Sequence, residues 1–117
     1  MNNHLVNETL ETITEYLPKL IQANQHLIED FREDREFDAL QLLNGFIEGV
    51  EWVLTASQMI NNHENVFTPV SSTFNQHLNA INEGLAQGDF LVVADILEYE
   101  IDPILAEIFN ESKRDSE

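Results

Sequence analysis

Apolar residues recur at steps of three and four along four segments of this 117-residue chain, and this spacing is the strongest constraint on its fold. An α-helix turns by about 100° per residue, so residues spaced in this way share one face of a helix. No segment shows the strict alternation that is typical of a half-buried strand. We therefore predict an all-α protein. The core stripe predicted for the first segment is Leu10, Ile13, Leu17, Leu20, Ile21, Leu27, Ile28 and Phe31.

Turn signals separate four predicted helices, which span residues 7–32, 36–62, 69–87 and 89–109. Thr68 and Pro69 are typical of a helix cap followed by proline at the first helical position. Gly88 and Asp89 predict a left-handed stop followed at once by a new cap, which makes the last two helices an antiparallel hairpin. We expect one domain over residues 1–117, with a frayed acidic tail at residues 110–117.

Two prolines lie inside otherwise continuous helical stripes. Proline has no backbone N–H, and its ring clashes with the carbonyl four residues earlier, so Pro18 and Pro103 each predict a kink. The apolar phase survives on both sides of each proline, which favours a bend over a break. The sequence therefore predicts an antiparallel four-helix bundle with proline-kinked first and last helices. The alternative is a three-helix core in which the first helix is split at Pro18.

The second and fourth helices carry a further apolar strip on the side opposite their core stripe. A soluble monomer rarely leaves such a strip exposed, and a mid-helix glycine costs roughly 0.5–1 kcal/mol relative to alanine, so we expect these strips to bind a partner. The alternative is that another helix of the same chain covers them. The core stripe predicted for the second helix is Ala39, Leu40, Leu43, Phe46, Ile47, Val50, Val53 and Leu54, and that of the fourth is Phe90, Ala94, Leu97, Ile101, Ile104 and Ile108. The predicted partner-binding residues are Gly45, Gly49, Trp52, Ala56, Met59, Val92, Ile96 and Tyr99.

Charge and composition exclude several classes of function. The chain has 5 basic and 22 acidic residues, and its formal net charge of −17 opposes binding to nucleic acids and to anionic membranes. It contains no cysteine, which removes disulfides, thiolate metal sites and cysteine nucleophiles. We find no secretion signal at the amino terminus and no apolar run long enough to span a membrane, and we expect a cytoplasmic protein.

Candidate catalytic and metal-binding residues are sparse, and we predict no enzyme activity, no metal and no cofactor. The Glu-x-x-His spacing that helical bundles use for metals does not occur. Asp95, Glu98 and Asp102 form an acidic edge of the last helix, which is either a rim that steers a basic partner or an ordinary solvated face. Asn24 interrupts the first stripe, where a polar side chain typically fixes the register of a facing helix.

Two stretches carry a family resemblance. Residues 74–81 (FNQHLNAI) and 88–101 (GDFLVVADILEYEI) resemble a family of small acidic helical proteins of unassigned function from Gram-positive bacteria, and this resemblance implies no activity. The order of the helices is also similar to that of the flagellin export chaperones, in which four helices wrap a disordered flagellin tail. That second resemblance lies in the pattern of elements, and it implies no particular binding residues.

These observations predict a non-enzymatic protein–protein interaction module, adaptor or chaperone-like, that uses the apolar strips of the second and fourth helices. The partner is either another protein or a second copy in a homodimer. One alternative is an acidic mimic of nucleic acid that inhibits a basic partner, for which the densest stretch is residues 29–38. The other alternative is a small ligand carrier or enzyme, which requires a pocket lined by Tyr16, Asn24 or His77.

Overall fold

The computed structural model describes residues 3–116, with side chains for residues 4–113, and its architecture confirms the predicted all-α four-helix bundle. No strand occurs in the described range. The molecule measures 46 × 23 × 19 Å along its principal axes. The helical elements are α1 (Asn3–Arg32), α2 (Glu36–Asn61), α3 (Ser71–Ala86), α4 (Phe90–Ile96), a π-helical turn (Leu97–Ile101) and α5 (Asp102–Ser116).

Helix α1 is the central element of the bundle. It packs against α2 on one side and against α4, the π turn and α5 on the other, whereas α3 packs chiefly on α4. The predicted α1 stripe is buried throughout, except for the half-buried Ile21. The helix continues without a break through Pro18, whose ring is exposed. The three-helix alternative with a split first helix is therefore wrong.

Side-chain hydrogen bonds hold the connector between α2 and α3 in its conformation, and α3 begins later than predicted. The Asn61 amide donates to the Phe67 carbonyl at 2.8 Å, and its Oδ1 accepts from the backbone N–H groups of residues 66 and 67. The Thr68 hydroxyl donates to the Glu111 carboxylate at 2.7 Å. Because this hydroxyl is engaged with α5, it does not cap a helix, and α3 begins only at Ser71, with Val70 at the N-cap position. The predicted cap at residues 68 and 69 is wrong.

The hairpin between α3 and α4 forms as predicted. Gly88 has a φ of 69°, a left-handed conformation that glycine adopts without steric cost. Directly after it, the Asp89 side chain accepts a hydrogen bond from the Val92 N–H at 3.3 Å and so caps α4.

The bend expected at Pro103 takes the form of a π turn. The Asp102 N–H bonds to the Leu97 carbonyl, five residues back, and this widened turn ends just before the proline. Val93, Leu97, Ile101 and Leu105 all have 0% exposure, although positions spaced by four drift by about 40° per step on a regular α-helix. The extra residue of the π turn cancels part of that drift. The predicted stripe omitted Val93 and Leu105 because it assumed an unbroken α-helical phase.

The carboxyl-terminal segment is helical over most of the predicted tail. Helix α5 extends to Ser116, and Ser112 is fully buried. The Ser112 hydroxyl lies 2.9 Å from the Thr14 hydroxyl and donates to the Phe109 carbonyl at 2.8 Å, which fastens α5 to α1. The fray predicted from residue 110 therefore does not begin there, and Glu117 lies outside the described residues.

Candidate binding surface

The predicted strip on α2 is only partly open, because α1 crosses it. Gly49 is buried, and a Cβ built there would overlap the Tyr16 hydroxyl and lie 2.9 Å from Leu20 Cδ2. Ala56 is also buried, with 7% exposure. The expectation that these two residues face away from the rest of the chain is therefore wrong. Their small side chains let α1 approach α2 closely, which is the alternative that the sequence left open.

Three residues of the α2 strip remain accessible. Trp52 is 45% exposed and Met59 is 51% exposed. Gly45 is exposed as well, and a Cβ built on it meets nothing within 4 Å. These three positions are spaced by seven residues, or about two helical turns, so they form one line along the outside of α2.

Trp52 is held in place by an aromatic contact with α1. Its ring meets that of Tyr16 edge to face, with centroids 6.0 Å apart and planes inclined by 83°. This arrangement is the favoured one for two aromatic quadrupoles, and it fixes the indole while nearly half of the residue stays in solvent. The sequence pattern did not place Tyr16 on this surface. Its position beside the core stripe of α1, next to Leu17 and Leu20, was the available signal.

Trp52 stands between two shallow depressions, and together these form what we call the α1–α2 groove. One depression has a volume of about 390 Å³ and the other about 220 Å³. The first is lined by Thr12, Glu15, Tyr16, Lys19 and Trp52, and the second by Thr9, Trp52, Thr55, Ala56 and Met59. The groove thus combines an apolar floor with hydroxyl and charged side chains at its border.

The border of the groove is predominantly acidic. Glu8 and Glu15 lie on the exposed side of α1, and Glu48 lies one turn before Trp52 on α2. Lys19 is the basic residue among the groove-lining side chains. Within residues 4–113, neither Glu15 nor Glu48 forms an ion pair, while Glu8 contacts only the exposed His4, at 3.3 Å. The carboxylates of this border are therefore available to a partner.

The predicted strip on the last helix is discontinuous. Val92 is 42% exposed and Tyr99 is 64% exposed, whereas Ile96 is half-buried and packs on the core. Leu40, which was assigned to the core stripe of α2, is 44% exposed. Ala39 of the same predicted stripe is buried as expected, and Leu40 is rotated from it by about 100°.

Two of the three carboxylates in the acidic edge of the last helix are paired with Arg32 of the same chain. Arg32 of α1 donates to Glu98 at 2.6 Å and to Asp95 at 2.9 Å. The hydrogen bond from Arg32 is the main reason that the pKa of Glu98 lies below its usual value. The pKa of Tyr99 is raised, chiefly because its hydroxyl is hydrogen-bonded to the Glu98 carboxylate. Asp95 and Glu98 are therefore members of surface ion pairs, unlike Glu15 and Glu48 at the border of the groove, whereas Asp102 forms no ion pair within residues 4–113.

The residues named for the alternative functions occupy other settings. Asn24 is fully buried and donates to the Leu97 carbonyl at 3.0 Å, so it fixes α1 against the π turn, as predicted for a register-setting residue. His77 lies 3.4 Å from Glu100. Arg35 pairs with Asp30 and Glu33, which neutralises part of the stretch considered for a nucleic-acid mimic.

Two further depressions lie away from the groove. One of about 290 Å³ lies between α2, the connector and α5, where Leu54, Phe67 and Ile108 contribute apolar surface. The other, of about 420 Å³, lies beside the Arg32 ion pairs. Within the described residues, no group of three or more His, Cys, Asp or Glu side chains is placed to hold a metal ion. None of the described helices combines the length and apolarity that crossing a bilayer requires.

Comparison with known proteins identifies a family but no activity. No curated protein and no solved structure matches the chain. The likeness to flagellin export chaperones and the Gram-positive origin therefore stay predictions, while the expected membership of a family without assigned function is confirmed. A family model matches residues 8–111, which is most of the chain. The chain belongs to the family described as Domain of unknown function (DUF8042).

Proposed function

We propose that this domain is a non-enzymatic protein-binding module, and that the α1–α2 groove is its principal contact surface. The observation that carries the proposal is the state of Trp52, the chain's single tryptophan. Its indole is oriented by Tyr16, flanked by a depression on each side, and 45% of the residue is exposed. Tryptophan residues in such settings dominate the energetics of many interfaces, because they bury a large area at a low cost in conformational entropy.

The line from Gly45 to Met59 supports the same proposal. Its three members are the part of the predicted α2 strip that α1 leaves uncovered. The distance along the helix from Gly45 to Met59 is about 21 Å, which matches roughly four turns of a docked helix. Laying an amphipathic helix into an apolar groove is a common mode of peptide recognition.

The exposed side chains on the last helix are a secondary element of this proposal. Val92 and Tyr99 add apolar area, but Ile96 between them is half-buried, so they offer no continuous strip. A homodimer and a chaperone-like capture of a flexible segment are two forms of the same binding function. They differ only in what occupies the groove.

The proposed function is tested by truncating the tryptophan beside a matched control. Trp52→Ala removes the anchor, whereas Leu40→Ala removes an apolar side chain of nearly equal exposure on the same helix, 44% against 45%. We expect affinity capture from native lysate to lose a defined set of proteins with Trp52→Ala but not with Leu40→Ala. Circular dichroism should show both variants folded. Recovery of the same proteins with the wild type and both variants would refute the proposal.

A further inference from the structure

We propose that the occupant of the α1–α2 groove is a basic amphipathic helix of another protein. Its apolar side would contact Trp52 and Met59, and its lysine or arginine residues would pair with the acidic border. This inference rests on the protein-binding function proposed above, and it names the chemistry of the partner.

The charge of the border is the first argument. Glu15 and Lys19 line the groove. Exposed Glu8 and Glu48 lie one helical turn before the lining residues Thr12 and Trp52, which places their carboxylates at its border. Glu15 and Glu48 have no ion-pair partner within residues 4–113, whereas Asp95 and Glu98 on the last helix already share Arg32. The groove and the exposed side chains of the last helix thus differ in the state of their neighbouring carboxylates. The groove is the one whose carboxylates are left for an external cation, and complementary charge sets both the rate and the specificity of association.

The shape of the groove is the second argument, and it favours a helix over an extended strand. Gly45, Trp52 and Met59 lie on one line along α2, and the open space at Gly45 allows a second backbone to come close at that end. The depressions of about 390 and 220 Å³ on either side of Trp52 can each receive an apolar side chain. Side chains spaced by three and four residues on a docked helix would straddle the indole in this way.

The same charges argue against a second copy of the chain as the occupant. In a symmetric dimer each residue meets the same patch of its partner, so Glu15 and Glu48 of one copy would face an equally acidic groove. The formal net charge of −17 adds to the repulsion between two copies. A basic segment relieves both effects.

The experiment uses the full chain and a synthetic helical peptide of leucine and lysine, of about 18 residues or five turns, with the leucines on one face. A scrambled peptide of the same composition and a leucine–glutamate peptide are the controls. Binding is measured by fluorescence anisotropy of the labelled peptide at low and at physiological salt. We expect saturable binding of the patterned basic peptide alone, weakening as salt rises.

Two pairs of variants locate the binding. Trp52→Ala should weaken it at least about tenfold and Leu40→Ala by less than about twofold, because only the former removes the anchor. The double change Glu15→Gln and Glu48→Gln should weaken it by about threefold to tenfold at low salt. The same charge change at Glu83 and Glu107, which are exposed on α3 and α5, should have little effect.

Three outcomes would overturn the inference. One is binding of the patterned peptide no tighter than that of the scrambled one. Another is an equal loss from the two double charge changes, which would mean diffuse attraction to an acidic protein. The third is concentration-dependent self-association in sedimentation that Trp52→Ala abolishes, which would identify a second copy as the occupant. Each of these outcomes leaves the proposed protein-binding function in place, because that function is refuted only if Trp52→Ala changes none of the proteins captured from lysate.

Discussion

Two glycines one turn apart on α2 should respond in opposite ways to the same substitution. At Gly45 an added Cβ meets nothing within 4 Å, so alanine keeps its helix-propensity advantage. We expect Gly45→Ala to raise the free energy of unfolding by about 0.5–1 kcal/mol, because alanine loses less backbone entropy on folding. For a domain of this size, that gain corresponds to an increase in Tm of about 2–5 °C.

At Gly49 the same propensity gain is opposed by packing. The new Cβ would overlap the Tyr16 hydroxyl, lie 2.9 Å from Leu20 Cδ2 and lie 3.3 Å from Tyr16 Cζ. Forcing an extra carbon into a packed contact typically costs about 1–3 kcal/mol. The net effect expected for Gly49→Ala is therefore a loss of up to about 2.5 kcal/mol, centred on about 1 kcal/mol. Combining it with Tyr16→Phe removes the nearest atom, so the double variant should recover at least about 0.5 kcal/mol relative to additivity.

Urea unfolding followed by far-UV circular dichroism measures the wild type, the three single variants Gly45→Ala, Gly49→Ala and Tyr16→Phe, and the double variant under one set of conditions. The slope with denaturant should stay constant across the series, so that shifts in the midpoint report stability alone. Equal stabilisation by Gly45→Ala and Gly49→Ala would refute the reasoning. It would mean that α1 does not cover this side of α2, and that the whole strip is open.

Two further predictions concern the last helix. Deleting Glu100 together with Pro103→Ala should leave the chain folded, because the deletion turns the π turn into a regular α turn and keeps the core register on both sides. If Pro103 is retained, the same deletion should lower the free energy of unfolding by about 3 kcal/mol more. Deleting Glu107 should unfold the chain in thermal melts, since it rotates all later residues by about 100°, and equal tolerance of both deletions would contradict this account. Arg32→Gln should lower the free energy of unfolding at neutral pH. The folded-state pKa of Glu98 is depressed, so the ion pair stabilises the fold above the unfolded-state pKa of about 4.3, and this stabilisation is lost as pH falls through the lower folded-state pKa. Urea midpoints of wild type and variant should converge as pH falls from about 4.3 through the lower folded-state pKa of Glu98, and a constant gap at all pH values would exclude this ion pair as the cause.

Periodicity predicted the helices well because burial is their main source of stability. The stripe of α1 is buried almost as expected, and the hairpin at Gly88 follows from the conformational freedom of that residue. Periodicity predicted the wrong exposure where the burial of a residue depends on contact with another helix. Gly45 and Gly49 lie on the same side of α2, yet only the second meets α1, because the environment along a helix depends on where another helix crosses it.

The last helix shows a second limit of the same reasoning. The steric clash of the Pro103 ring and its missing backbone N–H predict a departure from regular α-helical hydrogen bonding, but they do not specify whether it is a kink or a π turn. The spacing of Val93, Leu97, Ile101 and Leu105 by fours carries that information, since a regular helix would turn some of them out of the core. The acidic edge required knowledge of Arg32, which is distant in sequence and adjacent in space. Charge patterning within one helix cannot reveal such a partner.

The central position of α1 determines the order in which the molecule can be completed on the ribosome. The helix precedes the other elements along the chain, yet one side of it is covered by α4, the π turn and α5, which follow α2 and α3. A nascent chain that has released only α1 and α2 therefore presents Phe31 without the ring of Phe90 that stacks on it in the folded domain. Stable folding has to wait until α5 emerges, and during synthesis the exposed α1 surface is the part of the chain most in need of protection from aggregation.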